Sequence, residues 1–395
     1  MEGENIKYIK FQLFYLAMFF GFGTFFPYFS VYLEQEIGLS GSEIGIISFT
    51  SLVISGFAGL VWGAVGDKTG KYKLLLKGLL LLYAGTAFFL YQARTLSLII
   101  LLTIILESFG IGVNPFADIL ATFYCDQEKR SFGGLRAFAS LGFVAGTFAV
   151  GYLVSNDILG LGKAVFGLTI LFFLLSTAIT FFLPDHDNEM DKSEPETNNK
   201  KKGFKTLFAN KAFVFIVVFN FLVPAVIDSA FLYLGNHLVL TLGATEMAIS
   251  LFNAIAVLPE ILFFFIATKF MEKIGFKNFY ILATLTLILR FIVYSLTYNV
   301  NLFLVVSIGG PLAGAMIVIG NVIFIKENVD ENLIGTAFMV ITSVITLGRA
   351  LFSYAFGVLY EYFSSFSIFQ VSFVLLLIAL AMLLKTKHFV KLDSN

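Results

Sequence analysis

Seven ionisable side chains, Glu107, Asp118, Arg136, Asp228, Glu260, Arg290 and Arg349, stand inside stretches that are otherwise apolar. An ionised group at bilayer depth costs several kcal/mol unless it is paired or hydrated, so each is a candidate for function. Arginine stays charged and binds anions or hydroxyls through a planar fork, whereas a carboxylate can gain and lose a proton near neutrality. Four acids against three arginines leave one carboxylate without a fixed cation, and low dielectric pushes such a group towards its protonated form. The set implies a polar path through an apolar protein, fit to carry a proton and a polar solute.

Helical spacing relates these groups to one another. Glu107 and Asp118 are eleven residues apart, three turns and roughly 16 Å along one helix face, too far to pair directly. Asn114 lies one turn before Asp118 on that face, and Pro115 leaves the carbonyl of Ile111 free to accept from water or solute. Pro224 precedes Asp228 by one turn and Pro259 directly precedes Glu260, so three of the seven prolines accompany three of the four acids. That pattern reads as locally opened helices lining a wet cavity, against the plainer alternative of simple kinks. Asn253 shares the face of Glu260. Glu107 is a proton-carrier candidate because it lacks an obvious partner. Asp228 and Arg349, each near the middle of its stretch, read as a structural ion pair. For all seven charges the plain alternative is a static bridge between helices. Asn220 and His237 sit near the breaks of their stretch, His237 is expected to be a hydrogen-bonded packing residue, and Phe25, Tyr28, Tyr32 and Trp62 either stack on a sugar or base ring or form an interfacial belt.

The elements that carry these residues are membrane helices. Of 395 residues, 58% are hydrophobic and 13% charged, and the mean hydropathy is +0.90, far from the composition of soluble domains. Apolar runs of span length occur at 11–33, 43–65, 73–91, 96–123, 136–154, 163–183, 212–239, 246–270, 276–298, 301–325, 334–359 and 365–384. Twelve transmembrane helices and an all-α membrane protein are expected. The first run is too long for a signal-peptide core and no small-residue cleavage site follows it, so it is expected to remain as a helix. The single Cys125 rules out an internal disulfide, and no Cys or His cluster has metal-ligand spacing. No metal, cofactor or nucleic acid is expected. The absence of a nucleotide loop, a catalytic triad pattern or regular rows of pore-lining charge argues against an enzyme or a channel.

The basic residues set the orientation. Twenty-one of the 26 lie at the N-terminus, in the even-numbered loops or in the tail, three are the intramembrane arginines, and only Arg94 and Lys163 serve the opposite side. By the positive-inside rule both termini are cytoplasmic, in a multi-pass protein of the cell membrane. Residues 184–211, which break the apolar pattern with charge, Asn and Pro, read as a cytoplasmic linker between bundles 1–183 and 212–395. The halves repeat: Ser42-Glu43-Ile44-Gly45-Ile46 is answered by Thr245-Glu246-Met247-Ala248-Ile249, each expected to cap a helix, and Asp67-Lys68-Thr69-Gly70-Lys71 by Glu272-Lys273-Ile274-Gly275-Phe276. Parallel repeats of six helices are the sign of a two-lobed transporter.

The loop Gly63-Ala64-Val65-Gly66-Asp67-Lys68-Thr69-Gly70-Lys71 resembles the GxxxDxxGRK-type signature of the major facilitator superfamily. The resemblance implies two pseudo-symmetric six-helix bundles and gives Gly63, Asp67, Gly70 and Lys71 a gating role. Within the superfamily the intramembrane charges resemble the lactose permease and phenylpropionate permease branch over nearly the whole chain. Asn114-Pro115-Phe116-Ala117-Asp118 and Phe132-Gly133-Gly134-Leu135-Arg136 match its sugar-site acid and arginine, while Pro259-Glu260 and Leu289-Arg290 match a second acid and arginine, the arginine aiding proton transfer. The run from Gly21 to Tyr32 is similar to the branch's first helix. One departure stands out: Val306-Ser307-Ile308-Gly309-Gly310-Pro311 replaces the His and Glu of the lactose permease's proton relay. The resemblance implies solute binding by Asp118, Arg136 and Glu260 and proton coupling by Glu260 and Arg290; helical geometry adds Asn114 and Asn253 to the first set, Glu107 to the second, and the structural pair Asp228 and Arg349.

The resulting expectation is a non-enzymatic, monomeric, proton-coupled symporter that takes up a small polar organic solute, first of all an oligosaccharide, by alternating access. A nucleoside or aromatic acid is the nearest alternative solute. Proton-driven export of drugs or metabolites is the rival direction, weakened because Glu107 stands where exporters carry a basic residue and because Gly142 and Gly146 come without a proline.

Overall fold

The computed structural model describes residues 2–184, 207–264, 266–330 and 333–386, which form helices joined by short loops and contain no strand. The principal helices are α1 (Glu2–Gln35), α2 (Gly41–Thr69), α3 (Tyr72–Gln92), α4 (Leu96–Gln127), α5 (Phe132–Ser155) and α6 (Leu161–Thr180). After the expected linker, which lies outside the described residues from 185 to 206, come α7 (Lys211–Leu232), α8 (Met247–Phe264), α9 (Phe276–Leu296), α10 (Val300–Asn328), α11 (Ile334–Tyr362) and α12 (Ser365–Lys385). Eleven of them are long and apolar enough to cross a membrane, and α8 is a shorter apolar helix. Pro27, Pro115, Pro224 and Pro259 lie inside helices, as membrane helices allow where neighbours re-satisfy the freed carbonyls.

Local chemistry sets the ends and breaks. Ser40, not Ser42, caps α2: its Oγ accepts from the Glu43 N–H while the Glu43 carboxylate accepts from the Ser40 N–H, a reciprocal box that satisfies two orphan donors. Gly70 ends α2 at φ +64°, a left-handed position that favours glycine. The expected seventh run does not continue to 239. Instead α7 stops at Leu232, and Leu234–Asn236 and a wider π-type turn at His237–Thr241 follow. The eighth run likewise divides, with α8 ending at Phe264 and a two-turn helix at Ala267–Ile274. Inside α10, Ile308 separates Val300–Ser307 from Gly309–Asn328, where Pro311 cannot donate to the preceding turn.

The chain divides into two compact units, Met1–Lys192 with Leu238–Leu251, and Ser193–His237 with Phe252–Asn395. In the first, α1 packs on α5 and α6, α3 on α4 and α6, and α2 on α4. In the second, α7 packs on α11 and α12, and α9 on α10 and α12. These four pairings are four of the first unit's five with six added to each label, so most of the repeat seen in the sequence is a repeat of packing. The same lysine ends both sets: Lys73 Nζ donates to the Leu183 carbonyl at 2.6 Å, and Lys277 Nζ donates to the Thr386 carbonyl at 2.9 Å, each closing the carbonyl end of a last helix.

Glycines draw the innermost helices together. A Cβ on Gly142 or Gly146 of α5 would strike the Leu16 or Phe20 carbonyl of α1, and one on Gly23 would strike the Phe143 carbonyl. This small-xxx-small surface is the close backbone approach that substitutes for hydrophobic driving force within lipid. Outward-facing residues such as Phe57, Leu60, Phe89 and Phe181 are exposed, as a lipid-facing surface requires.

Gly146→Leu is expected to destabilise the protein by about 3 kcal/mol or more, because a backbone carbonyl cannot yield as a flexible side chain does. Gly167→Leu, where a side chain would meet nothing within 4 Å, should change stability by no more than roughly 0.5 kcal/mol. Thermal melts of the detergent-solubilised variants separate the two. Equal melting temperatures would refute the close approach.

Candidate functional site

In the first unit, α4 presents Asp118, α5 presents Arg136 and α1 supplies a residue that sequence reasoning missed, Tyr15. The Tyr15 hydroxyl donates to Asp118 Oδ1 at 2.6 Å, and Arg136 Nη1 approaches the same oxygen at 3.5 Å. Among the described residues Asp118 Oδ2 receives no bond, so one carboxylate oxygen remains for a ligand hydroxyl. The guanidinium lies 5.3 Å from the centroid of Phe19, whose ring stacks with Tyr15. Side-chain exposures of 45% for Arg136 and 38% for Asp118 leave the pair open, with Arg136 in the opening turns of α5 and Asp118 in the last third of α4. One turn back, Asn114 Oδ1 is buried without a hydrogen-bond partner. Three polar side chains, an open carboxylate oxygen and an aromatic face suit hydroxyl recognition beside a ring.

Glu107 does not stand alone as expected. It makes polar or electrostatic interactions, and it lies within electrostatic reach of the fully buried Tyr83. The hydroxyls of Tyr83 and Thr103 are buried without partners, so this part of the first unit is under-satisfied.

Phe25, Tyr28 and Tyr32 are at most 1% exposed and form neither a belt nor a stacking surface. Tyr28 instead ties α1 to α5 and to the start of α8. Its hydroxyl donates to the Thr147 carbonyl at 2.9 Å and lies 2.8 Å from Ser250 Oγ. Ser250 donates to the same carbonyl at 2.8 Å. Trp62 donates its indole N–H to the Ser108 carbonyl at 2.7 Å, joining α2 to α4.

In the second unit, Arg349 Nε lies 3.6 Å from Asp228 Oδ2, linking α11 to α7. Arg290 is 5% exposed. Its Nε donates to the Tyr294 hydroxyl at 3.1 Å, and its guanidinium lies 5.7 Å from Phe252, 5.7 Å from Phe291 and 5.0 Å from Tyr294. A Cβ on Gly310 would occupy the place of Arg290 Nη1, which gives the Gly309-Gly310-Pro311 departure a physical role: it makes room for the guanidinium. Asp228, Arg290, Phe252, Phe291, Tyr294 and Phe369 are among the residues around a cavity of ≈ 210 Å³. Asn253 is buried at 4% exposure and is not free of partners. Glu260 lies on α8, one turn beyond Ala256 of the cavity wall, but its side chain falls outside the described residues.

His237 is buried against Phe303, Phe366 and Phe369 with Nδ1 2.8 Å from Ser365 Oγ, the packing residue expected. Asn220 and Asn321 exchange side-chain amide hydrogen bonds at 3.0 and 2.8 Å, and the Tyr280 hydroxyl donates to Asn321 Oδ1 at 2.8 Å. Asn321 stands 203 positions after Asp118, the offset that relates Thr245 to Ser42, and Asn220 stands 205 after Tyr15, the offset that relates Glu272 to Asp67. The Tyr15–Asp118 post of one unit thus has a neutral amide counterpart in the other.

In the second loop the Gly70 N–H donates to the Gly66 carbonyl at 2.8 Å, and the Tyr72 hydroxyl donates to Asp67 Oδ1 at 3.3 Å. Lys71 is exposed and caps α3 without a side-chain bond, and a side chain at Gly63 would meet nothing within 4 Å.

A family model described as "MFS_1 like family" matches residues 8–371. The chain is 29% identical over 295 residues to the maltose permease of Geobacillus stearothermophilus, covering 74% of this chain and 72% of that protein. It is 24% identical over 375 residues to the sucrose permease of Escherichia coli, covering 90% and 88%. Its fold is similar to the crystal structure of the nucleoside transporter NupG, with a TM-score of 0.83 over 97% of this chain and 100% of that one at 18% identity.

Proposed function

The chain belongs to the MFS_1 like family and is a multi-pass membrane transporter of small-molecule solutes, and from that premise we propose that it is a proton-coupled symporter for a small polar organic solute, oligosaccharide-like in its hydroxyls, working by alternating access. The observation that carries this reading is the Tyr15, Asp118 and Arg136 constellation: half-open, with one carboxylate oxygen free among the described residues and the guanidinium over an aromatic ring. Asp118, Arg136 and Asn114 bind solute in the first unit. Asn253 and Glu260 do so from α8, and Glu260, Glu107 and Arg290 serve the proton. The Gly63, Asp67, Gly70 and Lys71 loop governs the switch, with both termini in the cytoplasm and the chain a monomer. Likeness to a maltose and a sucrose permease supports the sugar-like solute.

The test is solute-driven alkalinisation in de-energised vesicles, screened over sugars, nucleosides and aromatic acids. The reading requires at least one solute to carry protons inward, and none doing so overturns symport. Glu260→Gln is expected to spare solute exchange while its accumulation against a gradient collapses to parity, because exchange needs no net proton release. Equal loss of both activities would move the proton elsewhere.

A further inference from the structure

Tyr83 and Thr103 break a rule that the other buried hydroxyls of the helices keep. The buried threonines Thr24, Thr86, Thr147, Thr169, Thr180 and Thr284 each donate to a carbonyl three or four residues back at 2.6–2.8 Å, the usual way a helical hydroxyl is satisfied away from water. The buried tyrosines Tyr15, Tyr28, Tyr233 and Tyr280 each donate to a protein oxygen at 2.6–2.9 Å. Thr103 and Tyr83, 2% and 0% exposed, bond to no protein atom among the described residues. The side-chain oxygen of Asn114 is buried and unpaired in the same way. The helices of the first unit are described without a gap from Ile6 to Leu183, so no helix of that unit packed around these atoms is out of view. A buried polar atom without a partner is uncommon and calls for a cause.

The three atoms lie along one line. Thr103, Glu107, Gly110, Asn114 and Asp118 follow at steps of four, three, four and four residues, which keeps them on one face of α4 within about 80° of arc. Gly110 is the one gap in that polar row, and Tyr83 of α3 fills it: a Cβ on Gly110 would lie 3.0 Å from Tyr83 Cε2. Phe173 stacks on the tyrosine ring at 4.2 Å and Phe22 meets it at 5.9 Å, so the hydroxyl cannot swing to another acceptor. It stays within electrostatic reach of Glu107. A hydroxyl that stands near a carboxylate and bonds neither to it nor to a backbone carbonyl has the geometry of a bridging water, and an internal water takes two to four polar partners from such a set. We infer that this face of α4 holds a file of internal water from Thr103 to Asp118, and that Glu107 exchanges its proton through it. The O–H bond of the Glu107 carboxylic acid breaks as the next water oxygen takes the proton, the excess proton passes from water to water beside Tyr83 and Asn114, and one proton leaves to solvent at the mutually neutralised Asp118–Arg136 pair, which is open. Reloading runs the same steps backwards. This rests on the reading of Glu107 as a proton carrier, adds Tyr83 and Thr103 as positioning residues, and needs neither the His nor the Glu that the Val306 to Pro311 run lacks.

The experiment has two arms on the purified full chain in detergent, and neither needs a solute. Brief X-ray radiolysis in heavy-oxygen water labels a buried ring only where water sits against it. Tyr83 should be labelled at least tenfold faster than Tyr280, which is equally buried but bonded to Asn321. Thr103→Val should slow the labelling of Tyr83 and Thr103→Ser should restore it. Equal labelling of the two tyrosines overturns the file, and so does labelling that is lost when sodium chloride replaces choline chloride, since a cation would then hold the site. In the second arm, infrared spectra in acidic buffer should show a protonated-carboxyl band that Glu107→Gln removes. Its shift on transfer to heavy water should slow at least tenfold in Tyr83→Phe. Should the glutamine variant fail to fold, Glu107→Asp decides, because it moves the band instead of removing it. A spectrum untouched by changes at Glu107, or an unchanged rate in Tyr83→Phe, overturns the proton path. A wet Tyr83 and an exchanging Glu107 in a protein through which no solute drives protons would sink the symport reading alone. A dry Tyr83 beside proton-linked uptake that survives Glu107→Gln would sink this file alone.

Discussion

Arg136→Ala is expected to abolish solute uptake while leaving the protein folded. The two halves of that result have different causes. The Asp118–Arg136 pair is more than a third exposed on both sides, and pairs screened in this way contribute at most about 1 kcal/mol to stability. The melting temperature should therefore move little. Binding is another matter, because removing one member of a charge pair that closes around a ligand costs ~2–5 kcal/mol, roughly 30-fold to several thousand-fold in affinity. Tyr15→Phe should lie between the wild type and Arg136→Ala, since it removes one 2.6 Å hydrogen bond and keeps the ring on Phe19. Solute binding to purified variants, read beside their thermal melts, checks both. A large drop in melting temperature with unchanged affinity would make the pair a mere tie between α4 and α5.

The second large effect is a covalent one. Ser250 Oγ occupies the position that a Cβ on Gly151 would strike, so sulfur at both positions comes within disulfide reach. Residues up to Leu251 group with the first unit and those from Phe252 with the second, so α8 passes from one to the other within a single turn. If α8 moves as one helix during alternating access, the bond of Ser250 to the Thr147 carbonyl must open in every cycle, while that of Tyr28, between α1 and α5, persists. The pair Gly151→Cys and Ser250→Cys, with Cys125→Ser to remove the single native thiol, is expected to transport when reduced and to stop when oxidised. Reductant should restore the activity. Full activity in the oxidised protein would show that the start of α8 never leaves α1 and α5.

The sequence made some of this legible and hid the rest for identifiable reasons. Apolar runs reveal membrane helices because lipid imposes a length, so the twelve principal helices stand near their expected places, and the six-plus-six repeat reappears as repeated pairings. Helix ends depend on single hydrogen bonds, which is why the cap of α2 falls on Ser40 although Ser42 also precedes the acid. Tyr15 escaped notice because nothing in a helix rich in aromatic residues marks the one whose hydroxyl faces a carboxylate 103 positions further along the chain. The repeat offset held a usable signal: applied to Asp118 it leads to Asn321, whose amide partner Asn220 lies on α7. Gly142 and Gly146 were visible as a motif without a proline, yet what they do is permit α1 to approach. Phe25, Tyr28 and Tyr32 have the composition of a stacking surface, and only packing shows them buried.

The neutral Asn220–Asn321 counterpart of the Tyr15–Asp118 post has an electrical consequence. The membrane potential does about 2.3 kcal/mol of work per elementary charge per 100 mV, and it can act only on charge that is present. At this address one half of the molecule carries an ionisable post and the other carries none. At this post voltage therefore has purchase on the first unit and none on the second, whose charges stand elsewhere, at Asp228, Arg290 and Arg349.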